Sequence, residues 1–233
     1  MTLTATIALF LLLPLAAGAL VQFSRPGSNA LRLLLAFSGS FLLSVALTHM
    51  MPELYEAAGE GIGPWLLAGF MFQVVLEFFS HGIEHGHMHT SPGRALPMLT
   101  LLSLCLHSFT EGMPFADARV HTDMPFLLGV LLHKLPMAIA LATVLQRSQV
   151  PVLRSWTMIA VFAVAAPAGI LVGALGGGSL GEAFLHRALA VAIGMLLHIG
   201  TTIIFETTPE HRFNLQRFAA VVVGAILALW MVH

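Results

Sequence analysis

Charge is what this sequence has least of. Only 9% of its 233 residues are Asp, Glu, Lys or Arg, against about 25% in a soluble domain, which excludes an ordinary water-soluble fold. Cysteine is almost missing. Cys105 stands alone, so an intrachain disulfide framework and a multi-cysteine zinc module are both excluded. Excess positive charge is missing too. Ten Lys and Arg face eleven Asp and Glu, a net charge of −1, which excludes the basic footprint of a nucleic-acid binder. What is present is apolar surface, 58% of the residues, and 12 histidines. That combination describes a polytopic membrane protein with metal or proton chemistry inside it.

A membrane helix needs about 20 mainly apolar residues. Eight stretches qualify: Leu3–Val21, Leu31–Met51, Pro64–Ser80, Leu96–Phe115, Pro125–Leu145, Trp156–Leu175, Ala188–Phe205 and Phe218–Val232. They use almost the whole chain, so residues 1–233 read as one all-α integral membrane domain with short loops. The first stretch is expected to be a retained helix, because no Lys or Arg precedes Leu3 as a signal peptide would require. Arg25, Arg32, Arg94, Arg147, Arg154, Arg212 and Arg217 fall in one set of loops, and only Arg119 and Arg187 in the other. The basic set belongs in the cytoplasm, which places both termini outside it.

Charges within a bilayer usually face the bundle interior and mark function. The fourth and fifth spans carry the densest set. The fourth reads LHSFTEGMPF, with His107, Ser108 and Glu111; the fifth reads LLHKLPMAIA, with His133, Lys134 and Met137. Residues four apart share a helix face, so His107 and Glu111 project together and can chelate one divalent cation, zinc included. His133 and Met137 have the same spacing. The two segments align without gaps on antiparallel spans, an arrangement that transporter repeats use to build a midplane site. Pro114 and Pro136 free the carbonyls of Thr110 and Leu132, and freed carbonyls at membrane depth can line a cavity. Lys134 needs a counter-charge if buried, and Glu111 is its expected partner; the ammonium then stands where a second cation would sit or is released when one arrives, the plainer alternative being that it snorkels to an interface.

These residues resemble the ZIP family of divalent-metal transporters. HSFTEG (His107 to Gly112) is similar to that family's His-x-x-x-Glu-Gly signature, and HKLPMA (His133 to Ala138) to its fifth-span partner. HMMPE (His49 to Glu53), FETTPEHR (Phe205 to Arg212) and a histidine-rich stretch after the third span are weaker points of likeness. The resemblance implies an eight-helix bundle with both termini extracytoplasmic and a metal site between the fourth and fifth helices. His107, Glu111 and His133 carry over as ligands, with Ser108 and Met137 beside them. It also implies an elevator-like movement of some helices past others. The sequence departs from members with two metals at Lys134, Ser108 and Met137, and its sixth span has no glutamate. These departures agree with one another and point to a single transported metal, with Lys134 in place of the second.

Further clusters suggest a path. His49, Glu53, Glu56 and Glu60 recur at helical spacing at the outer end of the second span and read equally as a collecting vestibule for cations or as an acidic solvated cap, although Pro52 and Gly59 interrupt the pattern. Glu77, His81 and His85, then His87 and His89, lead into a cytoplasmic His-rich loop at residues 81–95, a composition suited to labile metal binding. His198 and Glu206, then Glu210 and His211, mark the end of the seventh span. A bundle histidine such as His198 is as readily satisfied internally as by metal. The function expected is import of zinc into the cytoplasm by alternating access, with cadmium, iron, manganese and cobalt as further candidate cargo. Neither an enzymatic reaction nor an organic cofactor is expected. The alternatives are an intramembrane metal-dependent hydrolase using Ser108 and a metal sensor without flux. The partners expected are divalent metal ions, the lipid bilayer and a second copy of the chain, in a bacterial inner membrane.

Overall fold

The structure is a computed structural model that describes residues 1–24, 27–80, 82–83, 98–206 and 214–233. Every regular element among these residues is helical: α1 (Leu3–Ser24), α2 (Ser28–Val45), α3 (Met51–Ala58), α4 (Gly63–Ser80), α5 (Met98–Gly112), α6 (Ala118–Thr122), α7 (Met124–Arg147), α8 (Val152–Leu180), α9 (Glu182–Glu206) and α10 (Leu215–Val232), with short 3-10 and π turns between some of them. Seven helices among the described residues are long and apolar enough to cross a membrane. The helix of the fourth expected span falls below that length, because α5 is described over only 15 residues. The chain is thus an all-helical, multi-pass membrane protein.

Several boundaries differ from the sequence pattern, each for a physical reason. The second span was expected to stop at Met51, yet the helix runs on to Ala58. A π turn over Ala46–Met50 lies just before Pro52, where a missing N–H would otherwise disrupt the regular ladder. Pro52 then occupies the first turn of α3, where no such bond is needed. The helix finally ends at Gly59, whose φ of 74° favours glycine. α8 likewise continues past Leu175 through Gly176, Gly177 and Gly178 before stopping at Gly181. α9 begins at Glu182 rather than near Ala188, carrying an acidic residue into its first turn, where the helix dipole favours it.

The long helices pack in two sets. α1, α5, α7 and α8 lie chiefly against one another, and so do α2, α4, α9 and α10; the sets meet along α2–α7, α4–α5 and α8–α9. Within each set, backbones approach at glycines. A Cβ on Gly194 of α9 would lie 2.0 Å from the Leu66 carbonyl oxygen of α4, and one on Gly169 of α8 would lie 2.0 Å from the Phe109 carbonyl oxygen of α5. Such small-residue contacts let membrane helices pack at short range. Between the sets, Gly129 of α7 meets the Leu42 side chain of α2 instead. The pairs α4–α9, α5–α8 and α2–α10 approach backbone to backbone within the sets, whereas glycines at the seam, Gly129, Gly176 and Gly177, meet side chains.

Candidate metal site

α5 and α7 bring the expected residues together. His107, Glu111 and His133 each offer one ligand-type atom within 4.8 Å of the others. All three are buried, at 2%, 1% and 0% exposure. The two imidazole rings meet edge to face, with centroids 6.0 Å apart. A tetrahedral zinc with bonds of about 2.0–2.1 Å would hold its ligand atoms roughly 3.4 Å apart, so small side-chain movements close the set around a cation.

Lys134 is completely buried. Its Nζ donates to Glu111 Oε2 at 3.0 Å and to Ser108 Oγ at 2.6 Å. It also lies over the rings of Phe10 at 5.4 Å and Phe162 at 5.3 Å, a position that favours a cation. The Lys134–Glu111 pairing expected from sequence is therefore present. Ser108 serves the lysine. The other carboxylate oxygen, Glu111 Oε1, is buried and has no hydrogen-bond partner among the described residues. Glu111 can accordingly hold the lysine with one oxygen and a metal with the other. Met137, one turn beyond His133, packs in an apolar cluster that includes Leu101, Leu104 and Phe162.

One partner was missed. Gln73 of α4 is fully buried, and its Oε1 accepts from His107 Nδ1 at 2.9 Å. The signal was a lone amide in an apolar span, four residues before Glu77. Glu77 itself meets His198 of α9, with Oε2 2.5 Å from Nε2, and Phe70 lies edge-on to the same imidazole. Glu77 thus reaches across from α4 to His198 of α9. His81, His85, His87, His89, Glu210 and His211 lie outside the described residues, as does the side chain of Glu206.

A second cluster forms at the opposite end of the bundle from Glu77. His49 Nε2 lies 2.6 Å from Asp123 Oδ2, and His49 Nδ1 lies 3.2 Å from Glu53 Oε1. Asp123 was not expected here; its other oxygen caps α7 by accepting from Phe126 N at 2.8 Å. An acid immediately before Met-Pro-Phe was the available sign of that cap. Glu53 and Asp123 border a cavity of about 140 Å³ that also touches Asp117 and Arg119. Burial raises the Asp117 pKa, but the hydrogen bonds and charge of Arg119 outweigh it and bring the carboxyl below its usual range.

A helical membrane bundle with a buried His–Glu–His set and a lysine beside it defines the class to which the chain belongs, an integral membrane protein with a metal-type centre. The ZIP Zinc transporter family matches residues 84–231, and the chain belongs to that family. It is similar to zinc transporter ZIP9 of Xenopus tropicalis, with 26% identity over 154 residues, covering 63% of this chain and 50% of that protein. It is similar also to zinc transporter ZIP9 of Micropogonias undulatus, with 26% identity over 161 residues, covering 66% of this chain and 51% of that protein. The chain thus spans about half the length of these curated relatives. Both are vertebrate proteins, so they lend no support to the expected bacterial membrane.

Proposed function

We propose that this chain carries a divalent metal, zinc foremost, into the cytoplasm by alternating access, one ion at a time. The observation that carries this is the convergence of His107, Glu111 and His133 in a buried site within a chain of the zinc transporter family. The three side chains replace part of the hydration shell and leave a fourth position for water. Lys134 supplies the positive charge that a second metal would otherwise bring. With neutral imidazoles, Glu111 and Lys134 cancel, so a bound divalent ion adds two uncompensated charges to a dry site. That limits affinity and favours release. Inward movement follows the membrane potential, which contributes about 2.3 kcal/mol per charge per 100 mV.

The two-set packing supports an elevator-like movement. The metal ligands lie on α5 and α7 of one set, and this set can slide along the side-chain seam without breaking its internal glycine contacts. His49 and Glu53, joined by Asp123, are proposed to collect ions at the outer mouth; Glu77 and His198 border the inner part of the path. The hydrolase alternative is less favoured because the matching family is one of zinc transporters.

The test is radioactive zinc uptake into proteoliposomes under an inside-negative potential. Wild type is expected to show saturable uptake, and His107→Ala and Glu111→Ala to reduce it by more than about tenfold, the loss already typical of removing an outer-layer partner of a metal ligand. Uptake by both variants at the wild-type rate would overturn the site. Metal binding without uptake by any folded protein would favour the sensor.

A further inference from the structure

We propose that Gln73 is a positioning residue that tunes the metal site and makes its affinity depend on how the two helix sets are aligned. The proposal rests on the reading of His107 as a metal ligand. Gln73 Oε1 accepts a hydrogen bond from His107 Nδ1 at 2.9 Å. A neutral imidazole carries one ring proton, so this bond assigns the proton to Nδ1 and leaves Nε2 as the lone-pair donor toward the site. Nε2 is also the atom nearer Glu111, 4.0 Å from its Oε2. With the amide turned over, its N–H would donate to Nδ1, move the proton to Nε2 and close that atom to a cation. In the orientation seen here, the buried amide favours the tautomer that can ligate.

The identity of the acceptor matters as much as its presence. Metal-bound histidines commonly donate to a carboxylate, which strengthens the imidazole as a ligand. Here a carboxylate is within one turn: Glu77 lies four residues from Gln73 on the same helix, yet it meets His198 of α9. The residue that meets His107 is a neutral amide, a weaker acceptor. Such a site holds its ion less tightly than a carboxylate-backed one and gives it up faster. That suits carriage better than storage.

The bond also crosses the seam. Gln73 stands on α4, which packs mainly with α9, whereas His107 stands on α5, which packs mainly with α8. If the α5 set slides along α4, the bond breaks while the His107–Glu111–His133 set moves as a unit. The alignment seen here is then the tighter-binding one, because His107 keeps its acceptor in it, and a bound ion would in turn favour this alignment.

Two substitutions at Gln73 separate this role from a merely structural one, because they drive affinity in opposite directions. The measurements are the zinc Kd of purified full-length protein in detergent, and KM and maximal rate of zinc uptake in proteoliposomes. Gln73→Met keeps the length and removes the acceptor; Kd and KM are expected to rise about 10- to 100-fold, the range for losing a second-layer partner. Gln73→Glu keeps the acceptor and adds charge; Kd and KM are expected to fall, and the maximal rate to fall with them as release slows. Unchanged Kd and KM in both variants would overturn the proposal, as would a rise of Kd in both. His107→Ala run alongside keeps the two readings apart. If it abolishes binding while both Gln73 variants behave as wild type, the proposal fails and the metal site stands. If it leaves zinc affinity intact, the metal site itself fails.

Discussion

Lys134→Met is expected to lower the unfolding free energy by about 3–5 kcal/mol, the cost of removing one partner from a buried ion pair and leaving the other charge uncompensated. Lys134 and Glu111 are 0% and 1% exposed, and the carboxylate oxygen on the lysine lies 3.0 Å from it, so little water is at hand to take over. The double variant Lys134→Met/Glu111→Gln removes both charges and is expected to regain most of that loss, because a buried pair replaced as a whole is often close to neutral. Phe10 and Phe162, which flank the ammonium, pack against a methionine equally well. Thermal unfolding in detergent gives the comparison. A single variant as stable as wild type would show that the lysine is not the counter-charge of Glu111. A double variant no better than the single one would show that the loss is one of packing.

The second large effect is steric. A Cβ at Gly169 would lie 2.0 Å from the Phe109 carbonyl oxygen of α5 and 3.2 Å from Met113 N in the turn that follows it, both backbone atoms. Ordinary contacts need about 3.5 Å, and backbone cannot swing aside as a side-chain end can. Gly169→Leu must therefore part α8 from α5, which bears His107, Ser108 and Glu111. Overpacking alone costs about 1–3 kcal/mol, and displacing the ligands should remove zinc binding from whatever folds. Gly178→Leu is the control on the same helix, because nothing lies within 4 Å of a Cβ there. It is expected to match wild type in folded yield and in zinc affinity. Equal outcomes at the two positions would contradict the packing account.

Much of the site was legible because its logic is local. His107 and Glu111 are one turn apart on a single helix, and a charged lysine inside an apolar run demands a carboxylate, of which Glu111 was the nearest in the neighbouring span. The membrane segments were legible for the same reason, since about 20 apolar residues in sequence leave few other readings. What escaped depends on a second helix. Nothing in the third span says that Gln73 will face His107 rather than another neighbour. Asp123 reads as one more loop acid until the π turn at Ala46–Met50 brings His49 beside it. The run through Pro52 hid a helix behind a residue that ordinarily ends one, because a π turn cannot be seen in a composition pattern. Glu77 was grouped with the histidines that follow it, and its contact with His198 of α9 could not be read from that grouping.

The central claim is one transported metal, held by His107, Glu111 and His133, with Lys134 where a second would sit. The measurement that tests it most directly is the zinc content per chain of wild type and His107→Ala, purified and equilibrated side by side. The difference removes any ion bound elsewhere, such as at His49, Glu53 and Asp123. A difference of one zinc per chain is the expected result. A difference of two would mean that Lys134 does not replace a metal, and a difference of none would mean that the buried His–Glu–His set is not where the metal binds.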